Sequence, residues 1–271
     1  MDAAGNAGAD MATAMEGSIA AASGGHQDPQ AAGALVPFSF RNPFHDALRD
    51  ATRWFPLAGT HIRIDQCWKP DGRGGTAIGF GASVYDAAIM LSLYLDNHRD
   101  AVFGKRVVEL GAGPGLVGIA AAHCGAKSVV ITDGDPASVA LTHKNIGLNG
   151  LDFAEVSAQQ YLWGEQDHPL VVKNESAFDV ILGADIVACP YAGAFESLLQ
   201  AFRDLAGSNT LLLLAYKLRH GSESSFFTKF KAYFDVEQVP ASELHADFQQ
   251  GDIVLYRARL KRQSNNAKTT A

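Results

Sequence analysis

From Arg106 to Leu260, short apolar runs of β type alternate with segments of helical period. That alternation restricts the fold to a mostly parallel sheet covered by helices on both faces. Strands are read at Arg106–Leu110, Ser128–Thr132, Glu155–Tyr161, Phe178–Ala184 and Thr210–Tyr216. The last contains four consecutive leucines and belongs at the centre of a sheet. Helices are read at Leu116–Cys124, Pro136–Leu148, Tyr191–Leu205 and Ser225–Phe234. Pro136 falls in a first turn, where its missing N–H costs nothing, and Asp135 before it is a capping residue. Upstream, Val84, Ala88, Leu91 and Leu95 share one helical stripe. His61–Trp68 alternates as a strand before a glycine-rich turn at Asp71–Gly75, and Val236–Val239 with Asp252–Leu260 are expected as an antiparallel edge pair.

One junction carries chemistry. Gly111-Ala112-Gly113-Pro114-Gly115 follows a strand and opens a helix, where glycines let the backbone turn tightly and approach a ligand. The spacing departs from the dinucleotide fingerprint G-x-G-x-x-G: Gly115 arrives one residue early and Leu116 takes the third glycine's place. Pro114 also removes a donor that a pyrophosphate would use. Glu109, two residues before the turn, would repel a polyanion but can accept a hydrogen bond from a cationic amino-acid ligand. The ligand this turn suits is zwitterionic or positive, and S-adenosylmethionine, with an ammonium and a sulfonium, fits. Asp133, after the next strand, is placed to take ribose hydroxyls; read structurally, it is an acid near a helix N-terminus.

Composition narrows the function. A net charge of -7 and a pI of about 5.7 argue against a nucleic-acid partner. The basic clusters Lys217-Arg219-His220 and Arg257-Arg259-Lys261-Arg262 read as solvated surface. Neither the three cysteines nor the nine histidines fall at metal-ligand spacing, so no metal and no disulfide is expected. No stretch is apolar and long enough for a membrane span. Residues 1–36 are rich in Ala, Gly, Ser and Asp and read as a disordered tail, 37–262 as one domain, and 263–271 as a second tail. No Lys or Arg precedes Arg41, which argues against a signal or transit peptide and for the cytoplasm, or the nucleus. A monomer is the plain expectation.

Five segments, in this order, carry a resemblance: Val84-Tyr85-Asp86-Ala87-Ala88-Ile89, Val108–Gly113, Ile131-Thr132-Asp133, Leu162-Trp163-Gly164 and Ile181–Val187. Together they resemble the family-16 branch of seven-strand protein-lysine methyltransferases, most closely the subgroup acting on Hsp70-type chaperones. The similarity runs from about His61 to Lys261. It implies a class I methyltransferase fold, Rossmann-like and α/β, with seven strands and an antiparallel edge strand. It implies S-adenosyl-L-methionine as cofactor, with Glu109, Gly111, Ala112 and Gly113 around the methionine part, Asp133 on the ribose, Trp163 on the adenine and Ala184 closing the pocket. Asp185 would be the catalytic-site carboxylate that orients the acceptor lysine of a protein substrate. Two departures stand out. The family's Asp-x-x-Tyr motif reads Asp185-Ile186-Val187-Ala188, with Tyr191 a candidate to supply the missing ring. Tyr85 stands where the family usually has a tryptophan beside the cofactor. The competing readings are a non-catalytic cofactor-binding module, an NAD-dependent oxidoreductase and a small-molecule methyltransferase.

Overall fold

The computed structural model describes residues 45–68, 79–172, 178–187, 194–219 and 223–262. The readings at Phe38–Phe44, Asp71–Gly75, Ala188 and Tyr191, and on both tails, lie outside the described residues.

The described chain begins with an antiparallel hairpin of β1 (Thr52–Leu57) and β2 (Thr60–Asp65). Its two-residue turn, Ala58-Gly59, has positive φ at both positions, the geometry whose twist matches that of paired strands. Sequence reading misses β1 because Pro56 interrupts the run, yet a two-stranded ribbon has an open side on which a proline costs no ladder bond. The hairpin is tied to the next helix, α1 (Asp86–Asn97), where Asp96 Oδ2 accepts from the Ala58 N–H at 3.0 Å.

There follow β3 (Arg106–Leu110), α2 (Leu116–His123), β4 (Ser128–Asp133), α3 (Pro136–Leu148), β5 (Val156–Gln160) and the single turn α4 (Pro169–Val172). The second half comprises β6 (Phe178–Ala184), α5 (Phe195–Leu205), β7 (Ala206–Lys217), α6 (Glu223–Tyr233), β8 (Phe234–Gln238) and β9 (Ile253–Leu260). Asp135 caps α3 by accepting from the Ala137 N–H, with Pro136 in its first turn, as the sequence anticipates.

Seven strands form one sheet in the order β5-β4-β3-β6-β7-β9-β8. All pairs from β5 to β7 are parallel, and β9 runs antiparallel to both of its neighbours. The reversed strand is therefore one in from the edge, and β8 is the edge. β7 begins at Ala206, earlier than read, because its register with β6 shifts between Phe178 and Val180, where Thr210 Oγ1 donates to the Phe178 carbonyl.

The two-residue period of each strand divides the core into two layers. Val107, Val180, Leu182, Leu213 and Leu255 pack with α1 and α2 on one face. Val108, Ile181, Leu212, Leu214 and Tyr216 pack with α5 and α6 on the other. There a chain of aromatic contacts links Phe202, Phe226, Phe230 and Phe234. Successive strands depart in opposite directions from β3 and β6. In an open α/β sheet, the carboxyl ends of such a pair border the binding crevice. Here those ends are Leu110-Gly111 and Ala184-Asp185, with Leu110 in register with Gly183.

Candidate active site

The glycine turn is held from two sides. Gly111, Gly113 and Gly115 all have positive φ. A Cβ on Gly111 would lie 2.6 Å from Ile186 Cγ2 and 3.1 Å from Trp163 Cζ2, so the turn closes against both side chains. From α3, Thr142 Oγ1 donates to the Gly113 carbonyl at 2.6 Å and Asn145 Nδ2 donates to the Pro114 carbonyl at 2.9 Å. Asn145 also joins Asp65 of β2 in both directions, so the hairpin and the turn share one buried amide. Sequence reading missed Thr142 and Asn145. The available signal was two polar residues beside Ile146 on the buried face of a helix. Thr142→Val keeps the shape but strands a buried carbonyl, and should cost about 1–3 kcal/mol in urea unfolding.

Glu109 is only 2% exposed. Its Oε2 accepts from the Gly118 N–H at 2.7 Å, serving the first turn of α2, whose own cap, Gly115, has no side chain. A Cβ on Gly118 would come within 2.7 Å of that oxygen, a requirement the sequence reading did not see. Burial pushes the Glu109 carboxyl up from 4.5 to about 8, against the Gly118 hydrogen bond and assisted by the charge of Asp133. The folded protein therefore holds a proton that the unfolded chain releases. Stability of the cofactor-free protein is full below about 4.5 and falls as pH rises towards 8. Glu109→Gln keeps an acceptor for Gly118 and removes the charge, so its melting temperature should not show this decline; parallel thermal melts across the range check it. A cationic ligand beside Glu109 would favour its charged form.

Asp133, at the end of β4, accepts from the Gly113 N–H and from the Asp135 N–H, both at 2.9 Å. Each oxygen retains a lone pair for a ligand hydroxyl. Burial raises its pKa, opposed by these backbone bonds.

A cavity of about 640 Å³ opens above the ends of β3 and β6. Gly111, Ala112 and Gly113 line it, with Glu109 and Asp133. Trp163 and Ala184 border it from the other half of the sheet, and Tyr85, the residue preceding α1, from the side. Asp185 completes the set, so all nine residues singled out in the sequence meet at one cavity. Burial, and then the charge of Asp185, raise the Tyr85 phenol's pKa. Ser138, in the first turn of α3, was not anticipated: its buried Oγ lines the cavity and has no hydrogen-bond partner among the described residues. A cavity of this size fits a nucleoside-bearing ligand. The carboxylates, the indole and the unpartnered hydroxyl suit a cationic one.

Asp185 has φ +58°, rare for a residue other than glycine, and is held there. Its N–H donates to the Ala215 carbonyl at 2.7 Å and its Oδ1 accepts from the Lys217 N–H at 3.2 Å. Arg219 then takes both oxygens, Nη1 to Oδ1 and Nη2 to Oδ2, each at 2.7 Å. Arg219 is exposed, as its reading within a basic surface cluster expects, and it also lines the cavity.

A family model described as lysine methyltransferase matches residues 72–233. Protein N-lysine methyltransferase METTL21A of Danio rerio is 38% identical over 236 residues, covering 86% of this chain and 98% of its own. The Mus musculus protein of the same name is 34% identical over 237 residues, covering 85% and 98%. EEF1A lysine methyltransferase 3 of Mus musculus is 32% identical over 218 residues, covering 80% and 85%.

Proposed function

The chain belongs to the lysine methyltransferase family, and from that premise we propose that it methylates a lysine of an Hsp70-type chaperone. It is a protein-lysine methyltransferase with S-adenosyl-L-methionine as cofactor. The cofactor supplies a methyl group on a sulfonium, an electrophile that needs no further activation.

The chain's own residues position and desolvate. When the cofactor binds, Gly111, Ala112 and Gly113 would bring backbone against its methionine part, Glu109 would give that end a buried carboxyl, and Asp133 would accept from the ribose hydroxyls. Trp163 would pack on the adenine, and Ala184 would close the pocket. Asp185 accepts a hydrogen bond from the acceptor lysine and directs its lone pair at the methyl. The lysine, with an ordinary pKa of about 10.4, reacts as the neutral amine. Leaving water and approaching a positive charge both favour that form. No strong base is required, and most of the acceleration comes from orientation.

The observation that carries this reading is the meeting, at one cavity, of the Glu109–Asp133 pair with a carboxylate, Asp185, at the carboxyl end of β6. The chaperone is supported by the family resemblance of the five segments. Elongation factor 1A is the second reading, because EEF1A lysine methyltransferase 3 matches over 80% of this chain. We further read the protein as a monomer of the cytoplasm or nucleus with no nucleic-acid partner. Incubation of the protein with labelled S-adenosylmethionine and cell lysate tests the substrate. A labelled band identified as an Hsp70-type chaperone supports the proposal; label on elongation factor 1A alone replaces it with the second reading.

A further inference from the structure

Arg219 occupies an unusual place. Its guanidinium forms a two-pronged pair with Asp185, whose side chain is 12% exposed, while its own side chain is 35% exposed at the rim of the cavity. A third contact, from Nη1 to the Lys217 carbonyl at 3.3 Å, steadies it. The carboxylate assigned to the incoming lysine is thus already satisfied by a cation of this chain. Arg219 is a long, flexible side chain, exposed to solvent, whose stem can carry its head away from the pair.

We propose that Arg219 is a positioning residue that holds the acceptor site closed: its guanidinium stands in for the substrate ammonium at Asp185 and turns out into solvent when a lysine enters. The exchange replaces one cation by another at Asp185, so no carboxylate is left buried and uncompensated, which would be costly. It also keeps water and stray amines from the methyl donor until a substrate supplies the energy of displacement, because affinity scales with the fraction of molecules in the open state. A guanidinium suits this task, since it stays protonated and so offers the methyl no free lone pair. The proposal rests on the assignment of Asp185 to the acceptor end.

Two variants test it without a protein substrate. Arg219→Lys puts a primary amine where the guanidinium lay. Incubated alone with labelled S-adenosylmethionine, it should methylate itself: the introduced amine nitrogen bonds to the methyl carbon, the carbon–sulfur bond breaks, S-adenosylhomocysteine leaves and the ammonium proton passes to water. Peptide mapping should find the label at position 219, and the wild type should carry none there. Arg219→Ala should open the site to a small amine, methylating n-butylamine roughly two- to fivefold faster than the wild type, the range set by breaking one partly exposed ion pair. Either result supports the proposal. A purely structural role would lower thermal stability without moving either readout. Absence of label at position 219 in Arg219→Lys, together with no gain on n-butylamine in Arg219→Ala, when both variants bind the cofactor as the wild type does, overturns it. That failure would leave the lysine methyltransferase reading standing if the wild type labels a protein in lysate. Conversely, self-labelling of Arg219→Lys at that position with no labelled protein in lysate would sink the substrate proposal alone.

Discussion

Asp185→Asn is expected to lower turnover at least about a hundredfold, the scale on which misplacing a reactant by an ångström acts. Its affinity for S-adenosylmethionine should stay within about threefold of the wild type, less than 1 kcal/mol in binding. Asparagine is the informative substitution because the backbone here has φ +58°, a region asparagine tolerates and alanine does not. The amide keeps the shape and one acceptor but loses the charge that pairs with Arg219 across 2.7 Å. A lysine amine would then meet a weaker acceptor in the same place. The cofactor residues Glu109, Asp133 and the glycine turn lie on β3 and β4, on the other side of the switch point, so their geometry should survive. Single-turnover kinetics with equilibrium binding separates the two effects. Turnover near normal would remove Asp185 from the mechanism.

Gly111→Ala should damage the cofactor site itself. The new methyl must sit at φ +62° and 2.6 Å from Ile186 Cγ2, with the Trp163 ring 3.1 Å away. The left-handed backbone and the overlap together should cost on the order of 2–4 kcal/mol. Part would appear as a lower melting temperature. Part would appear as cofactor affinity lowered at least about tenfold, since the turn and Trp163 line the same cavity. Ile186 follows Asp185, so turnover should fall as well. A variant that binds and melts like the wild type would show that the turn has slack which the contacts at Gly111 deny.

Much of this architecture was legible because parallel strands buried on both faces leave unbroken apolar runs. Thr210–Tyr216 and Phe178–Ala184 could hardly be anything else. The glycine turn was legible for a local reason: Glu109, Gly111 and Gly113 carry their meaning within five residues. What escaped depends on contacts distant in sequence. Arg219 looked like one member of a solvated cluster, and nothing nearby announces a partner 34 positions earlier. Thr142 and Asn145 act on the turn from a helix 29 and 31 residues away. Glu109 has a second role that its neighbours in sequence do not reveal: one carboxylate oxygen serves the Gly118 N–H, since a helix capped by glycine needs an acceptor from elsewhere. β1 was missed because a proline inside a strand argues against it, and only the pairing with β2 outweighs that.

Transfer of a methyl group to a lysine nitrogen is read most simply from the labelled residue itself. Proteins labelled by the wild-type enzyme from methyl-tritiated S-adenosylmethionine are hydrolysed to amino acids and the label is identified. Recovery of the tritium as methylated lysine, lost when Asp185→Asn replaces the wild type, is the expected result. Tritium in any other amino acid would contradict it, and methyl-lysine formed as well by Asp185→Asn would remove Asp185 from the step.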